Sequence, residues 1–303
     1  MSRRTTAFSM GMVTASLCAA VVASQQKPFR TIGHGVRIDV LVTDRSRPVQ
    51  GLRAADFEVY DMGTRQDVEA VESADHVAVA LVVDTSHSVR GAAYQGVLRR
   101  AEEVIDLLQR DDRAALLTFA DRVTPVVPST ADFGALRRAL TATGRFGAGA
   151  VPRSTVWDAV FAGAALVAAD TGRPLVVLFS DGMDNASWLG KDSVSRTLAN
   201  LSIIVDFVRT PWDRGSIDEF GPGTQTPEDL PNRTGGLILD TRDSRFRDKL
   251  SGHLTLLRHT YVLTYVPRGV ATDNGWHDVK VAVRGRDVAV KARPGYYANR
   301  RTS

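Results

Sequence analysis

The chain has 303 residues, 44% hydrophobic and 24% charged, enough for one large core and a smaller satellite unit. Its formal charge of +4 includes Arg3 and Arg4, which lie in a segment read below as removed. With so small a balance and no basic block interleaved with aromatics, nucleic-acid binding is not expected.

Residues 1–24 read as an export signal. Arg3 and Arg4 form a positive start, Ala7 to Ala23 is uncharged and apolar, and Val22-Ala23-Ser24 offers small residues for cleavage before Gln25. The stretch is short for a membrane anchor, so the expected product is secreted or periplasmic, with no stable membrane insertion after cleavage. Cys18, the single cysteine, lies inside the signal, so the remaining chain must be held by packing rather than by disulfides.

Val36 to Val42 alternates apolar and polar residues, as a half-buried strand does, and Phe57 to Tyr60 and Gln66 to Val71 are further strand candidates. This gives a small β unit over residues 34–75. At Val77 the texture changes. Val77 to Val83 is a near-continuous apolar run, expected of a strand buried on both faces of a parallel sheet. A helix follows, with Val97, Ala101, Val104, Ile105 and Leu108 at helical spacing. Ala114 to Phe119 is a strand with Thr124 to Val127 as its hairpin partner, and Phe133 to Leu140 is a short helix. Gly144 to Gly149 reads as a loop, Val156 to Ala168 as an Ala-rich helix, and Leu175 to Phe179 as a second buried strand. Helix over 194–201, strands over 203–208 and 237–239, helix over 246–257 and strand over 261–266 complete an alternating α/β pattern. The tail returns to β texture in Val279 to Val283 and Val288 to Val290, and is expected to pack with the N-terminal β unit.

Both buried strands end in acidic turns, Asp84-Thr85-Ser86-His87-Ser88 and Ser180-Asp181-Gly182. In open α/β sheets ligands bind at the carboxyl ends of strands. Asp84, Ser86 and Ser88 alternate, so a tight loop can turn their oxygens to one side, and Asp181 can add a carboxylate from the same edge. A hydroxyl from Ser154 or Thr155, before the Val156 helix, would supply a further donor. Such oxygens suit Mg²⁺ or Mn²⁺ rather than zinc or copper, and leave room for an external ligand. The bland alternative is that Ser86 and Ser88 cap the next helix and Asp181 forms an Asx turn. No His-Glu-x-x-His pattern and no Gly-x-Ser-x-Gly elbow is present.

The Asp84-x-Ser86-x-Ser88 string, the later hydroxyl and Asp181-Gly182 resemble the metal-ion-dependent adhesion site of von Willebrand factor A domains. Ser154-Thr155-Val156-Trp157-Asp158-Ala159 resembles the segment that bears the family's metal-ligating threonine, with Ser154 at the ligand's usual spacing. Gly51-Leu52, Asp56-Phe57, Thr234-Gly235-Gly236, Tyr261-x-Leu263-x-Tyr265 and Arg293-Pro294-Gly295-Tyr296 resemble a secreted von Willebrand A-related subfamily described mainly from Acidobacteria. The resemblance implies a Rossmann-like A domain, which the alternating pattern places over 76–267; residues 34–75 and the 275–298 tail are expected, from their strand texture, to form a small β-rich domain. It also implies non-enzymatic, adhesion-type binding of a protein partner that supplies a carboxylate to the ion. A metal-dependent hydrolase such as a phosphoesterase, or a structural envelope protein with a non-functional metal site, are the alternatives.

Overall fold

The computed structural model describes residues 35–45, 47–73, 75–143, 153–211, 226–271 and 275–298; residues 1–24, read as an export signal, and 144–149, read as a loop, fall outside them. Strand β1 (Val36–Asp44) turns Ile38, Val40 and Val42 inward, and the two-residue β2 (Arg47–Pro48) folds back on it. Strands β3 (Phe57–Asp61) and β4 (Thr64–Gln66) form a hairpin. Its turn residues Met62 and Gly63 both have positive φ, 47° and 79°, the twist a tight two-residue hairpin favours. Strand β5 (Ala70–Ser73) then leads into the α/β layer.

That layer begins with β6 (Val77–Asp84), every residue of which is buried. It continues through α1 (Ala92–Asp106), β7 (Arg113–Phe119), β8 (Val123–Thr130), α2 (Phe133–Thr143), α3 (Val156–Ala168) and β9 (Arg173–Ser180). After α4 (Lys191–Asn200) and β10 (Ile204–Arg209), the short α5 (Leu230–Thr234) and β11 (Ile238–Asp240) lead to α6 (Phe246–Arg258). The sheet has the order β11-β10-β9-β6-β7-β8, parallel except for β8, which runs antiparallel to β7.

Alternation along β6 explains its unbroken apolar run. Val77, Val79, Leu81 and Val83 enter a core with α1, α2 and α6; Ala78, Ala80 and Val82 enter a second core with α3 and α4. The second face has little room, because a Cβ on Gly163 of α3 would stand 2.7 Å from Val82 Cγ2. Small residues let α3 lie close on the sheet, which fixes the height of its N-terminus.

The last strands are β12 (Tyr261–Tyr265), β13 (Trp276–Val283), β14 (Ala289–Ala292) and β15 (Gly295–Tyr297). Two antiparallel sheets, β14-β1-β12-β5 and β15-β13-β3-β4, face each other over Ile38, Val40, Phe57, Val59, Leu263, Tyr265 and Val279. The Phe57 and Tyr261 rings meet edge to face, with centroids 5.5 Å apart. Two readings of the sequence change here. The strand at Tyr261, read as the end of the α/β layer, pairs with β1 and β5 instead. A five-residue buried run has the same composition in a sandwich core as in a parallel sheet, so its neighbours decide. The single strand read over 66–71 divides into β4 and β5, which lie in different sheets. Gln66 anchors the crossing point, exchanging hydrogen bonds of 3.0 and 2.8 Å with the Arg268 main chain.

Candidate metal centre

The chain leaves β6 at Asp84 and β9 at Ser180, neighbouring strands in register, so both acidic turns emerge on one sheet edge. Asp84 is fully buried. One of its oxygens accepts the Ser86 N–H at 2.8 Å and the other accepts the Ser180 hydroxyl at 2.6 Å. The Ser86 and Ser88 hydroxyls lie 3.2 Å apart. Asp181 accepts the Met183 N–H at 3.0 Å through Oδ1, while its Oδ2 is buried without a hydrogen-bond partner. Part of the bland alternative therefore holds, since one oxygen of each aspartate closes a local turn. Serine capping does not: α1 starts at Ala92 behind Gly91, with no side-chain cap.

The third segment arrives from the N-terminus of α3. Thr155 spends its hydroxyl and its N–H on the Ala120 carbonyl, at 3.1 and 2.9 Å. The Ser154 hydroxyl is buried with no partner. Of the two candidates, Ser154 is the one whose buried hydroxyl has no protein partner, while Thr155 donates its hydrogen to a carbonyl and keeps its lone pairs. Thr85 is engaged like Thr155, on the Phe119 carbonyl at 2.9 Å.

A scaffold not singled out from the sequence holds these turns. Asn185 Oδ1 accepts the Ser154 N–H at 2.8 Å, and Asp184 accepts the Val156 N–H at 2.8 Å. Asp158, in the first turn of α3, accepts the N–H groups of Trp188 and Leu189 at 3.0 and 2.9 Å. Ser187 receives the Trp157 N–H at 3.0 Å. The loop after β9 is thereby stitched to the start of α3, and Trp188 is left 94% exposed.

Electrostatics make the site a poor place for two bare carboxylates. Burial, and then the charge of Asp181, push Asp84 up to about 7, against the opposing Ser180 and Ser86 hydroxyls. Burial also raises Asp181, with the Ser88 hydroxyl opposing. Two hard carboxylates and three serine hydroxyls, with one carboxylate oxygen and one hydroxyl among them buried without a partner, fit a divalent cation, which would supply the missing positive charge. Among the described residues no three His, Cys, Asp or Glu side chains gather for a metal.

One consequence is testable without metal. The unfolded chain releases the Asp84 proton near 3.8, whereas the fold keeps it to about 7. Metal-free protein should therefore lose stability as pH rises through that window. Melting in chelator from pH 4.5 to 8 should show a decline that is shallower in the Asp84→Asn variant, where only Asp181 still contributes; parallel profiles would remove the assignment.

Residues 79–183 match the family model of the von Willebrand factor type A domain. The fold is accordingly a von Willebrand factor A-like α/β fold with a mixed sheet flanked by helices. The chain is also similar to an aerotolerance-related membrane protein from Bacteroides fragilis, with 14% identity, 60% of this chain and 98% of that one covered, and a TM-score of 0.47. BatB from Bacteroides thetaiotaomicron gives the same values. Proximal thread matrix protein 1 from the mussel byssus is 17% identical, with 64% of this chain and 49% of that one covered and a TM-score of 0.46. No curated protein matches the chain. Among the described residues no helix is long and apolar enough to cross a membrane.

Proposed function

We propose that the chain is an exported, metal-ion-dependent protein-binding module, secreted or periplasmic, of the A-domain-related type described mainly from Acidobacteria. Asp84, Ser86, Ser88, Ser154 and Asp181 would hold one Mg²⁺ or Mn²⁺, and an acidic side chain of a protein partner would complete the ion's coordination. One observation carries this reading: the two buried oxygens without partners, Ser154 Oγ and Asp181 Oδ2, come from separate loops at the sheet edge that also carries Asp84. An all-oxygen donor set favours a hard ion.

The reading is non-enzymatic. A hydrolase would need a positioned base, and His87, the histidine of the Asp84 loop, instead accepts from Arg90 at 2.6 Å. Arg90 is exposed and suits an acidic partner near the ion. Trp188, held outward by the Asp158 bonds to its loop, offers a rigid aromatic contact beside it.

The test pairs two measurements. Millimolar Mg²⁺ or Mn²⁺ should raise the melting temperature, and a partner should be recovered from envelope or culture fractions only without chelator. No thermal response would leave a structural protein. Phosphoester turnover lost in Asp84→Ala would mark a hydrolase. Trp188→Ala should keep the full cation response but weaken capture roughly tenfold, as loss of an aromatic anchor worth about 1–2 kcal/mol does. Unchanged capture would place the contact surface elsewhere.

A further inference from the structure

At the other end of β9, the sheet meets the sandwich. Arg173 opens this strand and Ser180 closes it, so about 23 Å separate this region from the acidic turns at a strand rise of ~3.3 Å per residue. Arg173 is 4% exposed and pairs with Asp39 of β1, yet its Nε finds no acceptor. Arg293, between β14 and β15, reaches the same place. It donates to the Ala199 carbonyl at the end of α4 and has no carboxylate partner among the described residues. Burial lowers its pKa; the Asp39 carboxylate supports its charge and the Arg173 guanidinium opposes it.

Asp39 is the one acidic residue among the described residues lining the cavity between these groups, whose volume is about 210 Å³. Arg173, Arg233, Lys291, Arg293 and His253 line it as well. Arg233 is tied to Asp229 at 3.0 Å, and His253 lies 3.2 Å from Asp206. Asp39 pairs directly with Arg173 and supports Arg293 without an ion-pair contact, so positive side chains outnumber negative ones along the cavity. Arg293 is partly buried and Lys291 exposed; a charge withdrawn even in part from water is stabilised by a paired, hydrogen-bonded partner, and both side chains line a space large enough to admit one. Along Asn232–Thr234 and Arg293–Pro294 the cavity adjoins a second of about 670 Å³, lined also by Trp276 and Tyr296.

We propose that this seam binds a tetrahedral oxyanion, free or as the phosphoryl group of a phosphomonoester. Arg293, Arg173 and Lys291 take the charged group, and the larger cavity has room for an attached organic body beside Trp276.

Thermal melts and titration calorimetry on the whole chain test this, with sodium phosphate compared against sodium chloride at equal ionic strength. Phosphate should raise the melting temperature in a saturable way. Lys291→Gln, an exposed position, should weaken affinity at least threefold, and Arg293→Gln should abolish it while still melting cooperatively. If Arg293→Gln fails to fold, the Lys291 variant decides. Glucose 6-phosphate binding more tightly than phosphate indicates that the larger cavity takes an organic body; equal affinity indicates the free ion. No difference from chloride, or variants indistinguishable from the parent, would overturn the proposal.

Discussion

Asp84→Ala is expected to eliminate the cation response of the chain completely. A ligand present at about 100 times its dissociation constant stabilises the native state by about 2.7 kcal/mol. For a domain of this size that corresponds to a melting shift of roughly 5–10 °C. The variant loses more than a donor. The Asp84 carboxylate fixes the Ser86 N–H and the Ser180 hydroxyl, so without it the serine loop loses its anchor. Without metal, however, the variant should melt no earlier than its parent near pH 8, because a buried carboxylate beside Asp181 has been removed. A thermal series in chelator and in Mg²⁺ reads both effects. A variant that kept the parental shift would end the assignment of Asp84.

The largest expected loss of stability comes from Asp112→Ala, at about 3–5 kcal/mol, the range typical when one partner of a buried ion pair is removed. Asp112 is fully buried and accepts the N–H of Val77 at 2.8 Å and of Gln109 at 2.7 Å. It also pairs with the Arg258 guanidinium, which is 7% exposed. Three pieces meet there: the start of β6, the turn before β7, and the end of α6, from which the chain enters the sandwich. Truncation leaves a buried guanidinium with the Leu107 carbonyl but no carboxylate, and two main-chain donors without their acceptor. Urea unfolding should show a much lower midpoint, and replacing Arg258 by Met in the same background should recover part of the loss. A change below about 1 kcal/mol would mean that water or rearrangement satisfies Arg258.

Much of this architecture was legible in the residues. The apolar runs at Val77 and Leu175 marked buried parallel strands, and the oxygen-rich turns behind them marked the sheet edge where a ligand would sit. Composition could not say which sheet β12 joins, because Tyr261, Leu263 and Tyr265 would be buried in either. Spacing left Ser154 and Thr155 open, and what sets their hydroxyls apart is the Ala120 carbonyl, some thirty-five residues away, which accepts from the threonine and leaves the serine without a partner. Asp184 reads from the sequence as a loop or capping residue, and it does cap α3; its partners in the scaffold, Asp158, Asn185 and Ser187, were missed for the same reason. Each bonds a main-chain group about thirty residues distant, a relation that leaves no periodic trace. Ser180 stood in plain view beside Asp181, and its donation to Asp84 became visible only once the two strands lay side by side.

The pairing of Val40 with Ala292 bears on how the chain is made. During synthesis β1 leaves the ribosome long before β12 and β14 exist, whereas the segment from β6 to α6 holds nearly all its own partners. The α/β layer can therefore fold while its apolar N-terminal strand still waits. Such a long-range closure is slow and exposes an unpaired edge to aggregation. Truncation at Tyr265 should accordingly yield a chain that forms the first unit yet depends on chaperones to stay in solution.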